Sequence, residues 1–156
     1  MRILHTESSV NWGGQEHRTL EQMVWLRENG HETGLACRPG TDIERKARDL
    51  GLVTHAIPFS GQYSLAAIRA ARRVVLDGHY QAVDCHGTRD AGTFIWCKDL
   101  ARIIRSRHIT QPLKAKWHRR MQWTHGCHGV IVTSHLVRDT FVSTCLVPRE
   151  RVFVVG

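Results

Sequence analysis

His86 stands in the run Ala82-Val83-Asp84-Cys85-His86-Gly87-Thr88-Arg89-Asp90, where an apolar stretch gives way to polar residues. An imidazole at such a point can hydrogen-bond a hydroxyl, move a proton or steady developing charge, and Gly87 beside it leaves room for a ligand. His86 is therefore the candidate catalytic residue, with Gly87, Thr88 and Arg89 around it. A histidine that merely caps the next helix reads equally well. Nearer the N-terminus, Val10 to Arg18 sets Gly13 and Gly14 directly before a helical pattern. Adjacent glycines let the backbone approach a ligand closely, and the free amides of a helix start attract an anion such as phosphate. Gly13, Gly14, Gln15 and Arg18 are candidate contacts, although a tight turn also needs glycine for steric reasons alone. The spacing is neither the Gly-x-Gly-x-x-Gly fingerprint nor the lysine-bearing P-loop.

Further on, Arg105-Ser106-Arg107-His108 offers two guanidinium groups for paired hydrogen bonds to a phosphate or carboxylate. Strand alternation would put Arg105 and Arg107 on one face and Ser106 and His108 on the other. Between Pro112 and Gly126, Lys114, Lys116 and Arg120 interleave with Trp117 and Trp123. That mixture suits a lipid–water interface with anionic headgroups. The competing reading packs Trp117, four residues before Met121, onto the sheet as a core anchor. His125 and His128 flank Cys127 with no further ligand nearby, so no metal and no cofactor is expected.

These residues need a scaffold that brings them together. Short apolar runs alternate with amphipathic stretches throughout, the pattern of strand–helix–strand units on a parallel sheet. Strands are expected at Arg2–Glu7, Thr33–Cys37, Thr54–Pro58, Ala82–His86, Arg102–Arg107, Val130–Ser134 and Val152–Val155. Helices are expected at Glu16–Glu28, Thr41–Leu50, Ser64–Leu76 and Ser134–Cys145. Leu20, Met23 and Val24 would form the inner face of the first. Thr41 with Glu44 would cap the second, and Leu65, Ile68, Arg72 and Val75 would line the third. The fold class is α/β: a Rossmann-like three-layer α/β/α sandwich on a mostly parallel sheet of about seven strands. Right-handed crossovers bring every strand-to-helix loop to one sheet edge, where ligands of such folds bind.

The 156 residues fit one domain. A formal charge of +8 favours partners bearing phosphate or carboxylate. The five cysteines are odd in number and lack Cys-x-x-Cys spacing, so they read as reduced thiols in a cytoplasmic protein. No stretch approaches the ~18 apolar residues of a spanning helix, and Met1 leads straight into a strand without a signal-peptide core.

Taken in order, Arg2–Ser8, Trp12–Thr19, the strand end Val83–Asp90, Arg105–Ile109 and Gly129–Phe141 resemble family 4 glycosyltransferases of the lipopolysaccharide type, across essentially the whole chain. The resemblance implies the N-terminal, acceptor-side half of a two-domain GT-B architecture, with a C-terminal donor-binding domain lying outside residues 1–156. It implies transfer of a hexosyl group, with retention, from a nucleotide sugar to a phosphorylated saccharide or glycolipid acceptor in lipopolysaccharide or envelope polysaccharide biosynthesis. Gly13, Gly14 and Gln15 would lie near the donor diphosphate and acceptor, His86 beside the transferred sugar, and Arg107 and His108 along the same cleft. Such a protein would work in the cytoplasm, with peripheral contact at the inner face of the plasma membrane, and the isolated half would be inactive. Two other readings compete: a stand-alone Rossmann or flavodoxin-like nucleotide-binding domain, which lacks its phosphate fingerprint, and a basic nucleic-acid module. Nucleic acid is not among the expected partners.

Overall fold

The computed structural model describes residues 1–61, 63–107 and 117–155. All seven expected strands form: β1 (Arg2–Glu7), β2 (Glu32–Cys37), β3 (Val53–Ala56), β4 (Ala82–Cys85), β5 (Arg102–Arg107), β6 (Gly129–Val132) and β7 (Val152–Val154). They join in one sheet of order β3-β2-β1-β4-β5-β6-β7, parallel at every pairing. The chain adds strands outward from β1 to β3, then returns to lay β4 on the other side of β1. That reversal leaves a crevice above the carboxyl ends of β1 and β4, the switch point at which doubly wound sheets take ligands.

Two helices cover one face. α1 (Gly14–Glu28) and α2 (Asp42–Asp49) bury Leu20, Met23, Ile43 and Ala47 against Leu35 and Cys37 of β2. The opposite face carries α3 (Leu65–Asp77), α4 (Thr88–Phe94), α5 (Trp117–Thr124) and α6 (His135–Cys145). There Ala67, Val75, Phe94, Trp123 and Phe141 pack on Leu4, Val83, Ile103 and Val130. Each fully buried Leu, Val or Phe contributes about 1.5–3 kcal/mol, so the larger cluster holds the returning half of the sheet in place. All five cysteines are buried and free, small hydrophobes within these layers.

Several local expectations need correction. α3 buries Ala67, Ala71 and Val75, four residues apart, while Leu65 is largely exposed. Arg72 stands outside the core and forks onto both carboxylate oxygens of Asp99 at 2.7 and 2.8 Å. Thr41 precedes α2 but does not cap it: its hydroxyl donates back to the Arg38 carbonyl, and Glu44 accepts from the Gly40 amide instead. Ser134 leaves β6 to cap α6, accepting from the Val137 amide at 3.2 Å. β3 stops at Ala56, ahead of Pro58, which has no amide to donate to a neighbouring strand.

Candidate active site

Because all strands are parallel, the ends of β1, β4 and β5 rise on one rim, and these three are neighbours in the sheet. The Gly13–Gly14 turn, the His86–Arg89 segment and Arg107 therefore share that rim, as expected from sequence. Gly13 and Gly14 are exposed at the start of α1, and no side chain caps this helix end. A Cβ on Gly14 would meet nothing within 4 Å, so there is open space at the helix start, and one on Gly13 would lie 3.4 Å from the carboxylate of Glu16 in the first turn. Arg18, Thr88 and Arg89 are exposed along the same edge. His108, Lys114 and Lys116 lie outside the described residues.

Gln15 does not point freely into the crevice. Its amide donates to Glu7 Oε2 at 2.6 Å, while Glu7 Oε1 accepts from the Ser9 amide at 2.9 Å. One carboxylate thus holds both ends of the loop between β1 and α1. Glu7 is buried, and burial first, then the nearby Asp90 charge, push its pKa up to about 7 against the two hydrogen bonds. Asp90 itself is sealed from solvent and accepts from Thr6 Oγ1 at 2.5 Å, Ser8 Oγ at 3.1 Å and the Gly87 amide at 3.1 Å. It ties α4 to the ends of both β1 and β4. The space beside Gly87, expected to admit a ligand, is occupied: a Cβ there would strike Asp90 Oδ1 and come within 3.2 Å of Ser8 Oγ.

The His86 imidazole turns inward. Its side chain is fully buried, and Nε2 lies 3.1 Å from Nδ1 of His5, on the neighbouring strand. The ring planes differ by 10° and the centroids are 5.4 Å apart. That separation is the contact distance plus a ring radius at either end, so the two rings meet edge to edge in one plane. Asp84 Oδ2 sits 3.8 and 3.7 Å from these two nitrogens, and its Oδ1 accepts from Ser106 at 2.7 Å. Two imidazoles and a carboxylate this close suggest a metal centre, and the three ligand atoms lie within 4.8 Å of one another. However, ligands to one ion must aim their lone pairs at a common point to the side of the line joining them. Here the nitrogens aim along that line, so the contact is a shared proton in an N–H···N hydrogen bond. Burial pulls both histidines down to about 4, which makes the pair neutral at pH 7. His125 and His128 belong to no three-ligand cluster among the described residues.

On β5, Ser106 reaches Asp84 on the α1 side of the sheet, while Arg105 and Arg107 face the α5–α6 side, the predicted alternation. The two tryptophans, both expected at an interface with Trp117 the alternative core anchor, part company. Trp117 is 74% exposed, whereas Trp123 is 6% exposed and edges Phe141 at 4.8 Å. Trp123 is thus a core side chain and cannot meet a membrane. Sequence reasoning passed over His5, Glu7 and Asp84. The available signal was polar residues at positions 5 and 7 of a strand whose inner positions should be apolar.

A family model described as Glycosyltransferase Family 4 matches residues 12–156, nearly the whole chain. The chain belongs to glycosyltransferase family 4. No curated protein matches it. Among solved structures, this family 4 chain resembles a glycosyltransferase from Rickettsia africae ESF-5, with a TM-score of 0.82 at 13% identity over 99% of this chain and 42% of the other. HepE of Anabaena in complex with UDP and glucose gives 0.70 at 14% identity over 99% and 44%. The lipopolysaccharide outer core galactosyltransferase WaaB gives 0.68 at 13% identity over 99% and 45%. At these identities the likeness establishes the fold. The chain spans a little over two fifths of the length of these structures.

Proposed function

We propose that this family 4 chain is the acceptor-side half of an enzyme that moves a hexosyl group from a nucleotide sugar to a glycan or glycolipid, in lipopolysaccharide or envelope polysaccharide synthesis. One observation carries the reading: an uncapped, glycine-flanked helix start adjoins the ends of β4 and β5 at the topological switch point, above polar residues on neighbouring strands. A donor diphosphate would accept from the amides of Gly13 to Gln15, the pre-aimed positive end of α1. Thr88, Arg89 and Arg107 would supply hydroxyl and guanidinium donors to donor and acceptor. His86, with its ring held inside, is assigned a positioning role: its bond to His5 joins β4 to β1 and fixes the Gly87 turn at the rim. Retention of configuration is proposed from the family resemblance. The UDP and glucose bound by HepE support a nucleotide-sugar donor.

Such transfer requires donor and acceptor to be held together between two domains. Fixing reactants in this way replaces an encounter by an effective concentration of about 10⁵ M or more. Residues 1–156 alone are therefore proposed to be inactive. The test is glycosyl transfer from a panel of nucleotide sugars by the longer protein carrying a second domain, beside the 156-residue chain. Turnover by the longer protein and none by the chain is expected. Turnover by the chain, or hydrolysis and transfer by neither across the panel, overturns the proposal.

A peripheral membrane contact at the cytoplasmic face is the second part of this reading. Trp117 and Met121, one turn apart on α5, are 74% and 51% exposed. No described helix is long and apolar enough to cross a membrane. Inserting an indole and a thioether together gains roughly 3 kcal/mol, about a hundredfold in partitioning. Trp117→Ala with Met121→Ser is expected to cut sedimentation with phosphatidylglycerol vesicles at least tenfold while leaving the unfolding temperature in place. Unchanged sedimentation would remove α5 as the contact.

A further inference from the structure

Three arginines gather where β5, α5 and α6 meet. Arg105 and Arg107 share one face of β5, and Arg120 stands on α5 three residues before Trp123. The Cys145 thiol, on the buried side of α6, is pushed up by burial and drawn back by three charges, those of Arg107, Arg120 and Arg105. All three charges thus act on the α6 side of β5, and the contact of Arg105 with the Trp123 ring ties the strand to the helix that carries Arg120. The Arg105 guanidinium lies 3.5 Å from the Trp123 ring centre, and the same indole meets Phe141 in an edge contact at 4.8 Å.

Two of these arginines hold buried N–H groups that meet no acceptor. Arg105 is 4% exposed, yet it has neither a hydrogen-bond acceptor nor a carboxylate partner among the described residues. Its Nε–H and the Nε–H of Arg120 are both closed off from solvent without an acceptor. Asp90, whose charge reaches Arg105, is already committed to Thr6, Ser8 and Gly87. Stacking on Trp123 offsets only part of the cost of desolvating a guanidinium. A buried charge in this condition ordinarily has its partner in a ligand. A guanidinium whose carbon sits over an indole keeps N–H groups at its edge, and an anion meeting that edge can accept from two at once.

We propose that Arg105, Arg107 and Arg120 form an anion subsite for a phosphate monoester carried by the acceptor saccharide. The acceptor label rests on the reading of the preceding section. A phosphate dianion suits three guanidinium groups better than a carboxylate, having both the charge and three oxygens to share among them. A saccharide phosphate fits better than a bilayer headgroup, because Arg105 sits one strand repeat beneath the rim, out of reach of a flat surface. The three arginines lie on the face of the sheet that carries α3 to α6, whereas the Gly13–Gly14 turn belongs to α1, packed on the other face. Donor and acceptor phosphates would thus be held apart by the sheet edge.

The experiment uses the 156-residue chain, with glucose 6-phosphate, inorganic phosphate and unphosphorylated glucose as probes. Thermal unfolding of the wild type is expected to shift upward with glucose 6-phosphate and with phosphate, and not with glucose. Arg120→Gln should weaken that effect at least tenfold. Arg105→Met should unfold at or above the wild-type temperature without ligand, since it removes an unpartnered charge, and should show no phosphate shift. A structural arginine would behave oppositely, its loss lowering the starting temperature. A wild type unmoved by both phosphates overturns the subsite, as does an Arg120→Gln chain that responds like wild type. Binding to phosphatidylglycerol vesicles that depends on Arg105, with no response to glucose 6-phosphate, overturns it in favour of a headgroup. Transfer by the longer protein is a separate measurement: its failure with the phosphate response intact removes the acceptor label and leaves the anion subsite standing.

Discussion

Replacing Asp90 with alanine is expected to cost the fold about 3 kcal/mol or more, measured by urea unfolding at pH 7. The carboxylate is sealed from solvent and receives two hydroxyls and one amide, from Thr6, Ser8 and Gly87. Removing it leaves the buried hydroxyls of Thr6 and Ser8 and the half-buried Gly87 amide without this acceptor, at about 1–3 kcal/mol for each donor that water cannot reach. It also frees the turn between β4 and α4 from the end of β1, so the rim should loosen along with the global loss. Asp90→Asn keeps one acceptor oxygen and should fall between the two. A loss below about 1 kcal/mol for the alanine variant would mean that water replaces the carboxylate, and that the rim is not held by this residue.

Stability is also expected to depend on pH through three buried groups of opposite sign. His5 and His86 are drawn down to about 4 in the fold from an ordinary 6.5. Between those values the unfolded chain binds protons that the native pair refuses. The contribution of the pair is therefore complete above pH 6.5 and is lost as pH falls toward 4, by roughly 3 kcal/mol for each imidazole. Glu7, raised from 4.5 to about 7, works the other way. Its native carboxyl keeps a proton that the unfolded chain gives up, so its contribution is complete below pH 4.5 and is lost as pH rises through 7. The wild type should thus lose stability on acidification less steeply than the histidines alone would dictate. Glu7→Gln removes the opposing group. That variant should be more stable than wild type at pH 8 by up to about 3 kcal/mol, with a steeper decline between pH 6.5 and 4.5. Parallel stability curves for the two proteins from pH 5 to 8 would show that Glu7 is ionised normally in the fold.

The strands were readable because parallel strands are buried on both faces and appear as continuous apolar runs such as Ile103–Ile104 and Val130–Val132. α1 was readable from its spacing and from Asn29-Gly30, where Gly30 takes a φ of 82°. α4 escaped notice because it is short and contains Gly92, and because its residues from Asp90 to Phe94 are all buried, which leaves no amphipathic rhythm. Trp117 and Trp123 show a different limit. Six residues along a helix turn through 600°, leaving the two rings about 120° apart around the axis, so one facing the core excludes the other. Their spacing requires that choice. Only packing against Phe141 and Arg105 settles which ring goes in.

Local patterns in this chain were enough to establish the fold class, the shared rim of the Gly13–Gly14 turn, His86 and Arg107, and the alternation of Arg105 and Ser106. All of these depend on side-chain periodicity and on the fixed hand of parallel crossovers, which a single segment expresses by itself. The chemistry beneath the rim arose from strand register. His5 meets His86 across 81 residues, and Asp90 gathers Thr6 and Ser8 across more than 80, because β1 and β4 align His5 with Asp84. Which strands become neighbours is decided by the burial of the whole sheet between its two helical layers. A polar residue in one strand carries no mark of the partner that this burial will assign to it.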